Sequence, residues 1–289
     1  GEDLFQILTY GVEYYEDETE STRDGAPRES FPDGKTEVTG VYIQNEILLG
    51  ERLTLIPGLR WDSFTSSAAA PGLEDNDDSA WSPKIGANLK VTDWLSFQAS
   101  YNEAFRAPSV TELFVCGVHF TCGPGCQNLF VPNPDLKPEH ARNKELGLRL
   151  FRQDLLTPGD VGRLRASVFR NDVTDFIERR VQVAFRPVPG NPGPGGVSTS
   201  DNVSDARLEG FEIGAVYEAP RWFAGLAYAQ TRGDDENTDE PLASVSPDEW
   251  ITRLGLRFPA QGVELGWRGR FVSAQDRVPA GIEPSERFD

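Results

Sequence analysis

The chain has 289 residues, of which 38% are hydrophobic, and no apolar run reaches the roughly 18 residues that a membrane helix requires. A helical membrane protein is therefore excluded, whereas a membrane-spanning β-barrel fits this composition, because only alternate residues of its strands face lipid. The formal net charge of −18 argues against nucleic acid as a partner.

Segments in which apolar and polar residues alternate recur along the whole chain, and this period of two predicts β-strands with two different faces. The predicted strands are Leu4–Glu16, Val38–Leu49, Leu53–Phe64, Ser82–Val91, Trp94–Tyr101, Asn143–Gln153, Arg163–Asn171, Ala206–Tyr217, Trp222–Gln230, Trp250–Phe258 and Val263–Phe271. We expect the strand that begins at Arg163 to continue through Phe176 and Ile177. Most of these strands have about ten residues, the length that crosses a bilayer when the strand is tilted.

Short turns and long polar loops alternate between these strands. The short turns lie at Gly50–Arg52, Thr92–Asp93, Thr157–Asp160, Ala219–Arg221 and Pro259–Gln261, and the long loops lie at Glu16–Gly34, Ser66–Ser79, Asn102–Arg142, Pro187–Ser200 and Asp234–Glu240. This asymmetry is typical of outer-membrane barrels, which have brief periplasmic turns and large extracellular loops. A soluble sandwich has no reason to collect its long loops at one end, and a propeller would show a fixed repeat length, which this sequence lacks.

Charged residues within the predicted strands fall on one face. Six arginines follow this rule: Arg149, Arg165, Arg253, Arg257, Arg268 and Arg270. An arginine against lipid costs about 2–4 kcal/mol at the bilayer midplane, whereas a wet lumen tolerates it. The predicted fold class is therefore all-β, an antiparallel transmembrane β-barrel present in part, with apolar side chains outward and arginines inward.

The segment Asn102–Arg142 contains all three cysteines and both histidines. Connections of this length are usually functional or disordered. In an oxidising compartment two of Cys116, Cys122 and Cys126 would form a disulfide, and the third would stay a thiol or pair with a missing segment. A zinc site made of these cysteines and His119 is an alternative that the residue types permit.

Two motifs lie on either side of the cysteines: FRAP, formed by Phe105, Arg106, Ala107 and Pro108, and NPDL, formed by Asn133, Pro134, Asp135 and Leu136. They resemble the paired FRAP and NPNL boxes of TonB-dependent outer-membrane receptors, and the Lys137-Pro138-Glu139 that follows agrees with that pattern. Two segments between the boxes are similar to the haem and haemoprotein branch of the family: Val118-His119-Phe120 and Asn128-Leu129-Phe130-Val131-Pro132.

The resemblance implies a barrel of about 22 strands whose lumen holds an N-terminal plug. About eleven strands cannot close such a barrel. The absence of methionine and of a signal peptide is also typical of an internal fragment. We therefore expect residues 1–289 to be part of the C-terminal barrel domain, with the plug and its energy-coupling box upstream. The terminal segment Glu283–Asp289 is expected to end in a loop, before the last strands.

In the haem and haemoprotein branch of that family a histidine between the boxes is an axial ligand of haem iron, so the resemblance assigns this role to His119, with Phe120 beside the porphyrin. The alternative for His119 is a solvent-exposed loop histidine, and His140 is expected to be structural or exposed. The FRAP and NPDL residues are expected to be structural. Haem is then the transported ligand, and no catalytic cofactor is expected.

The implied partners are haem or a haem-carrying protein, the TonB energy-transducing complex acting through the missing plug, and the lipid and lipopolysaccharide of a Gram-negative outer membrane. Alternatives are a ferric-siderophore or cobalamin receptor and, from another class, a surface adhesin built on a barrel. An enzyme is not expected, because the sequence has no G-x-S-x-G, H-E-x-x-H or Walker motif.

Overall fold

The computed structural model describes residues 4–27, 30–69, 72–202, 205–242, 245–280 and 283–286, and this part of the chain is almost entirely β-structure. The strands are β1 (Leu4–Thr19), β2 (Thr22–Arg23), β3 (Ala26–Pro27), β4 (Gly34–Leu49), β5 (Leu53–Ala68), β6 (Asn76–Thr92), β7 (Leu95–Arg106), β8 (Gly117–Gly123), β9 (Cys126–Phe130), β10 (Glu139–Gln153), β11 (Val161–Thr174), β12 (Ile177–Gln182), β13 (Val197–Asn202), β14 (Ala206–Glu218), β15 (Trp222–Asp235), β16 (Glu249–Phe258) and β17 (Val263–Val272). A short helix, α1 (Val110–Phe114), and a 3₁₀ turn at Pro259–Gln261 are also present. Within the described ranges, none of the helices has the length and apolar character needed to cross a membrane.

Eleven of the strands form one antiparallel sheet in the order β1-β4-β5-β6-β7-β10-β11-β14-β15-β16-β17. Each strand pairs with its neighbours in chain order, as in the wall of an up-and-down barrel. The prediction of about eleven strands is confirmed. Because neighbouring strands run in opposite directions, the short turns lie at one end of the sheet and the long connections at the other.

The register separates charged from apolar side chains. Arg149 lies opposite Arg165, and Arg253 lies opposite Arg268. The strand register across the sheet places all six of the arginines named above on one face, as predicted. Large apolar side chains occupy the other face and are more than a third exposed, among them Leu146, Val168, Leu226, Leu254, Leu265 and Trp267. An exposed apolar face of this extent fits a lipid environment better than water.

Several strands are longer than predicted at the end that carries the long connections. β5 continues to Ala68 and β6 begins at Asn76, so half of the predicted loop Ser66–Ser79 is strand. The polar residues Thr65 and Asp77 still pair across these two strands. The prediction was wrong here because a segment with polar residues at successive positions was interpreted as a loop. Paired strands that extend beyond a membrane have water on both sides, so both of their faces can be polar.

The predicted continuation of the strand through Phe176 and Ile177 is also wrong. β11 ends at Thr174, Asp175 adopts a positive φ of 55°, and Ile177 begins β12 in a second sheet. That second sheet has four strands in the order β12-β13-β9-β8, of which β8, β9 and most of β13 lie in segments predicted as loops. Of the predicted terminal loop Glu283–Asp289, residues 287–289 lie outside the described residues.

Candidate functional site

The two longest connections of the chain fold together into one unit. β8 and β9 form a hairpin in the first connection, and β12 and β13 form a hairpin in the second. β9 and β13 join the two hairpins as a short parallel pair, in which Leu129 lies opposite Val197 and Phe130 lies opposite Ser198. We call this unit, residues 107–138 and 175–202, the loop cap. It lies at the end of the main sheet that carries the long connections.

Two adjacent glycines allow the hairpins to approach each other. Gly195 has a φ of 129° and Gly196 a φ of 79°, and a Cβ at Gly195 would overlap the backbone carbonyl of Gln127 on the other hairpin. Asn191, which is buried, donates from Nδ2 to the carbonyl oxygens of Gln127 at 2.7 Å and Gly196 at 2.8 Å. The joint between the two connections therefore depends on backbone contact that a side chain would prevent.

Arg106 of the FRAP box links β7 to the loop cap and to β10. Its guanidinium contacts Glu139 through Nη2–Oε1 at 2.6 Å and Nε–Oε2 at 2.8 Å, and Glu112 through Nη1–Oε2 at 2.8 Å. Glu112 also completes a capping box with Ser109 at the start of α1. Burial raises the pKa of Glu112, but the hydrogen bonds from Arg106 and Ser109 outweigh it and hold that pKa below its usual value. Arg106 and Glu112 therefore form a charged pair at neutral pH.

Each box contributes one buried apolar residue, Pro108 from FRAP and Leu136 from NPDL. A small core within the loop cap consists of Val110, Leu113, Phe114, Leu136 and Ile177. Pro108 is fully buried, and the ring of Phe105 stacks on that of Phe64 with 5.8 Å between their centroids. Ala107 is half-buried.

The polar residues of the NPDL box hold the backbone at the same place. Asn133 donates from Nδ2 to the carbonyl oxygen of Ser200 at 2.9 Å. Asn76 donates from Nδ2 to the carbonyl oxygens of Pro134 and Leu136, each at 2.8 Å. Asp135 is exposed. The two boxes thus anchor the loop cap to the end of the sheet.

His119 lies on β8, and its side chain is exposed at the surface of the loop cap. Its imidazole stacks on Phe130 with 4.2 Å between centroids and 30° between planes, and Phe120 meets its edge at 5.0 Å. Nδ1 lies 2.8 Å from the Oγ of Ser198, which belongs to β13. Both hairpins therefore hold the ring, and Nε2 has no hydrogen-bond partner among the residues that the structure describes.

The cysteines are divided between two environments. Cys122 and Cys126 form a disulfide across the tip of the β8–β9 hairpin. Cys116 lies outside this bond, and its backbone N–H donates to the carbonyl oxygen of Ser30 at 3.0 Å. A zinc site at His119 and the three cysteines does not fit, because two of its four ligands are joined to each other. In the described ranges, no group of three or more His, Cys, Asp or Glu side chains is arranged to hold a metal ion.

His140 is separate from this site. It lies on β10 of the main sheet, opposite Phe105 on one side and Thr174 on the other, and is half-buried. Ser198 and the side-chain contacts of Asn128 were not predicted, because both residues lie in segments predicted as loops. The one local signal is the glycine pair at 195–196, which marks a close backbone approach.

Comparison with known proteins agrees with this architecture. A family model described as "TonB dependent receptor-like, beta-barrel" matches residues 2–286. A hemin receptor of Yersinia enterocolitica is 34% identical over 288 residues, covering 98% of this chain and 41% of that protein. The heme/hemopexin utilization protein C of Haemophilus influenzae is 34% identical over 289 residues, covering 94% of this chain and 40% of that protein. The chain therefore spans about two fifths of these curated relatives.

Solved structures show the same fold. A double mutant of the Serratia marcescens hemophore receptor HasR, in complex with its hemophore HasA and heme, matches with a TM-score of 0.75 at 21% identity, covering 94% of this chain and 50% of that chain. The copper transporter OprC matches with a TM-score of 0.74 at 21% identity, covering 98% and 44%. Because the family model matches nearly every residue and the eleven-stranded sheet has the corresponding architecture, the chain belongs to the TonB-dependent receptor-like β-barrel family.

Proposed function

We propose that the whole receptor takes up haem across the outer membrane of a Gram-negative bacterium. In this proposal the chain supplies part of the C-terminal barrel wall and the extracellular loops that capture haem. The observation that carries it is His119, whose imidazole is held by both hairpins at the surface of the loop cap. Support comes from two relatives that are described as a hemin receptor and a heme/hemopexin utilization protein.

Capture would use Nε2 of His119 as one axial ligand of the haem iron, since a neutral imidazole is a good ligand for haem iron. Phe120 lies at the edge of that imidazole and would offer an aromatic surface to the porphyrin. Haem is the cargo in this scheme. It is bound and released through a reversible coordination bond to iron and leaves chemically unchanged, so the receptor acts in this scheme as a transporter.

Passage through the barrel would need parts beyond this chain. We propose that the remainder of the receptor includes an N-terminal plug, through which the TonB complex supplies energy, and the strands that close the barrel. The face that carries Arg149, Arg165 and the other strand arginines would line the route, where guanidinium groups can pair with the haem propionates. Membrane lipid and lipopolysaccharide would cover the opposite, apolar face.

Growth on haem tests this proposal. In a strain that lacks its own haem receptors, the whole receptor is expected to support growth with haem or a haem protein as the sole iron source. Deletion of TonB should abolish that growth. The siderophore alternative remains the competing outcome, since the siderophore receptor PirA of Acinetobacter baumannii is 26% identical over 274 residues. Growth on a ferric siderophore but not on haem would replace the proposal.

A further inference from the structure

A chain of hydrogen bonds leads from Asn128 on the first hairpin through Ser198 on the second hairpin to His119, and the donor and acceptor of each bond can be identified in turn. It begins at Asn128 on β9, whose side chain is fully buried. Nδ2 of Asn128 lies 3.0 Å from two backbone carbonyl oxygens, those of Gln182 and Gly195. Carbonyl oxygens can only accept, so the NH₂ group must point toward them. This fixes the amide orientation and places Oδ1 on the other side.

The next group is the hydroxyl of Ser198, which is also fully buried. Its Oγ lies 2.6 Å from Oδ1 of Asn128. Because Oδ1 has no proton, the single hydroxyl proton of Ser198 must be donated to it. The Oγ of Ser198 then has only lone pairs left for any other partner.

That other partner is Nδ1 of His119, 2.8 Å away. An acceptor-only oxygen at this distance requires Nδ1 to carry the proton, and a neutral imidazole has one protonated nitrogen. Nε2 must therefore present its lone pair. The stacking of the ring on Phe130, itself buried, fixes the plane in which that lone pair points.

We propose that Ser198 and Asn128 are positioning residues that hold His119 in the Nδ1–H tautomer, so that Nε2 is kept as the nitrogen that binds iron. Partners of this kind orient the histidine ligands of metal sites and usually change affinity by about 10–100-fold when removed. The role of Nε2 as an iron ligand rests on the proposed function, whereas the Nδ1–H tautomer of His119 follows from the hydrogen bonds alone. The ligand would thus depend on both long connections, His119 from the first and Ser198 from the second.

The test uses the whole receptor in detergent, labelled with ¹⁵N-histidine, without haem. His119→Ala identifies the resonances of His119, and their ¹⁵N shifts report which ring nitrogen is protonated. The wild-type receptor is expected to show the Nδ1–H tautomer, and Ser198→Ala is expected to shift the population toward Nε2–H. Ser200→Ala is the matched control, because Ser200 is equally buried on the same strand but its Oγ has no hydrogen-bond partner among the described residues.

A haem titration of the same variants tests the binding of haem iron by His119 separately from the tautomer of His119. We expect about 10–100-fold weaker haem binding for Ser198→Ala and no change for Ser200→Ala. A wild-type receptor in the Nε2–H form, or an unchanged tautomer in Ser198→Ala, would overturn the positioning role. If the tautomer behaves as expected but His119→Ala binds haem normally, the tautomer assignment stands and the haem function fails. If Ser198→Ala does not fold, the ¹⁵N spectrum of the wild-type receptor still shows whether His119 is in the Nδ1–H tautomer.

Discussion

A receptor with alanine in place of Gly195 is expected to lose the joint between the two halves of the loop cap and to bind haem at least about 10-fold more weakly. Gly195 has a φ of 129°, which residues with a side chain rarely adopt, and the added Cβ of alanine would overlap the backbone carbonyl of Gln127. The carbonyl oxygen of Gly195 also accepts the hydrogen bond that orients Asn128. The two hairpins must therefore move apart, which takes Ser198 away from His119.

Gly193→Ala is the matched control for this variant. It lies in the same connection, and its added Cβ would meet only Oδ1 of Asn191 at 3.5 Å, an ordinary contact. Limited proteolysis of the loop cap and a haem titration measure the effect. Gly195→Ala should be cleaved faster and bind haem less tightly, while Gly193→Ala should match the wild type. Equal behaviour of the two variants would show that the hairpins do not need this backbone contact.

Arginine at position 166 is expected to destabilise the barrel by about 2–4 kcal/mol, whereas arginine at position 167 should be tolerated. Both residues are small and lie near the middle of β11. Ala166 pairs with Leu148 and Ile213 on the apolar face, which places a new guanidinium against lipid. Ser167 pairs with Glu212 on the face that already carries the arginines.

The comparison can be made by folding the whole receptor into lipid vesicles and following its unfolding in urea. The midpoint for Ala166→Arg should fall well below that of the wild type, and the midpoint for Ser167→Arg should stay close to it. An equal loss of stability in both variants would contradict the assignment of a lipid face and a lumen face, and a larger loss for Ser167→Arg would show that the two faces are reversed.

The barrel wall could be predicted from the sequence because its strands alternate between apolar and polar residues with a period of two. A strand between lipid and a wet lumen must alternate, and Asn143–Gln153 shows this with three leucines opposite Glu145 and Arg149. The ends of the strands were less predictable. Beyond the lipid nothing requires alternation, so residues 76–79 of β6 pair with β5 although none of the four is apolar and marks the segment as strand.

The loop cap could not be predicted because its contacts join residues that are far apart in the chain. Phe130 pairs with Ser198, and Arg106 reaches Glu139, yet neither pairing leaves a periodic pattern. The position of His119 between the boxes could be read from the sequence, but its environment could not. Buried polar side chains such as Ser198 and Asn128 look like ordinary loop residues until the two connections are seen side by side.

The most direct test of haem binding by His119 is a haem titration of the whole receptor carrying His119→Ala. The titration is monitored by visible absorption, and His140→Ala is measured in the same way for comparison. We expect His119→Ala to lose the spectrum of histidine-ligated iron and at least about 10-fold in haem affinity, because the ligand itself is removed. His140→Ala should keep both, because His140 lies on β10 of the main sheet, where it pairs with Phe105 and Thr174 and not with the hairpins that hold His119. An unchanged spectrum and affinity for His119→Ala would contradict the central claim that this histidine receives the haem.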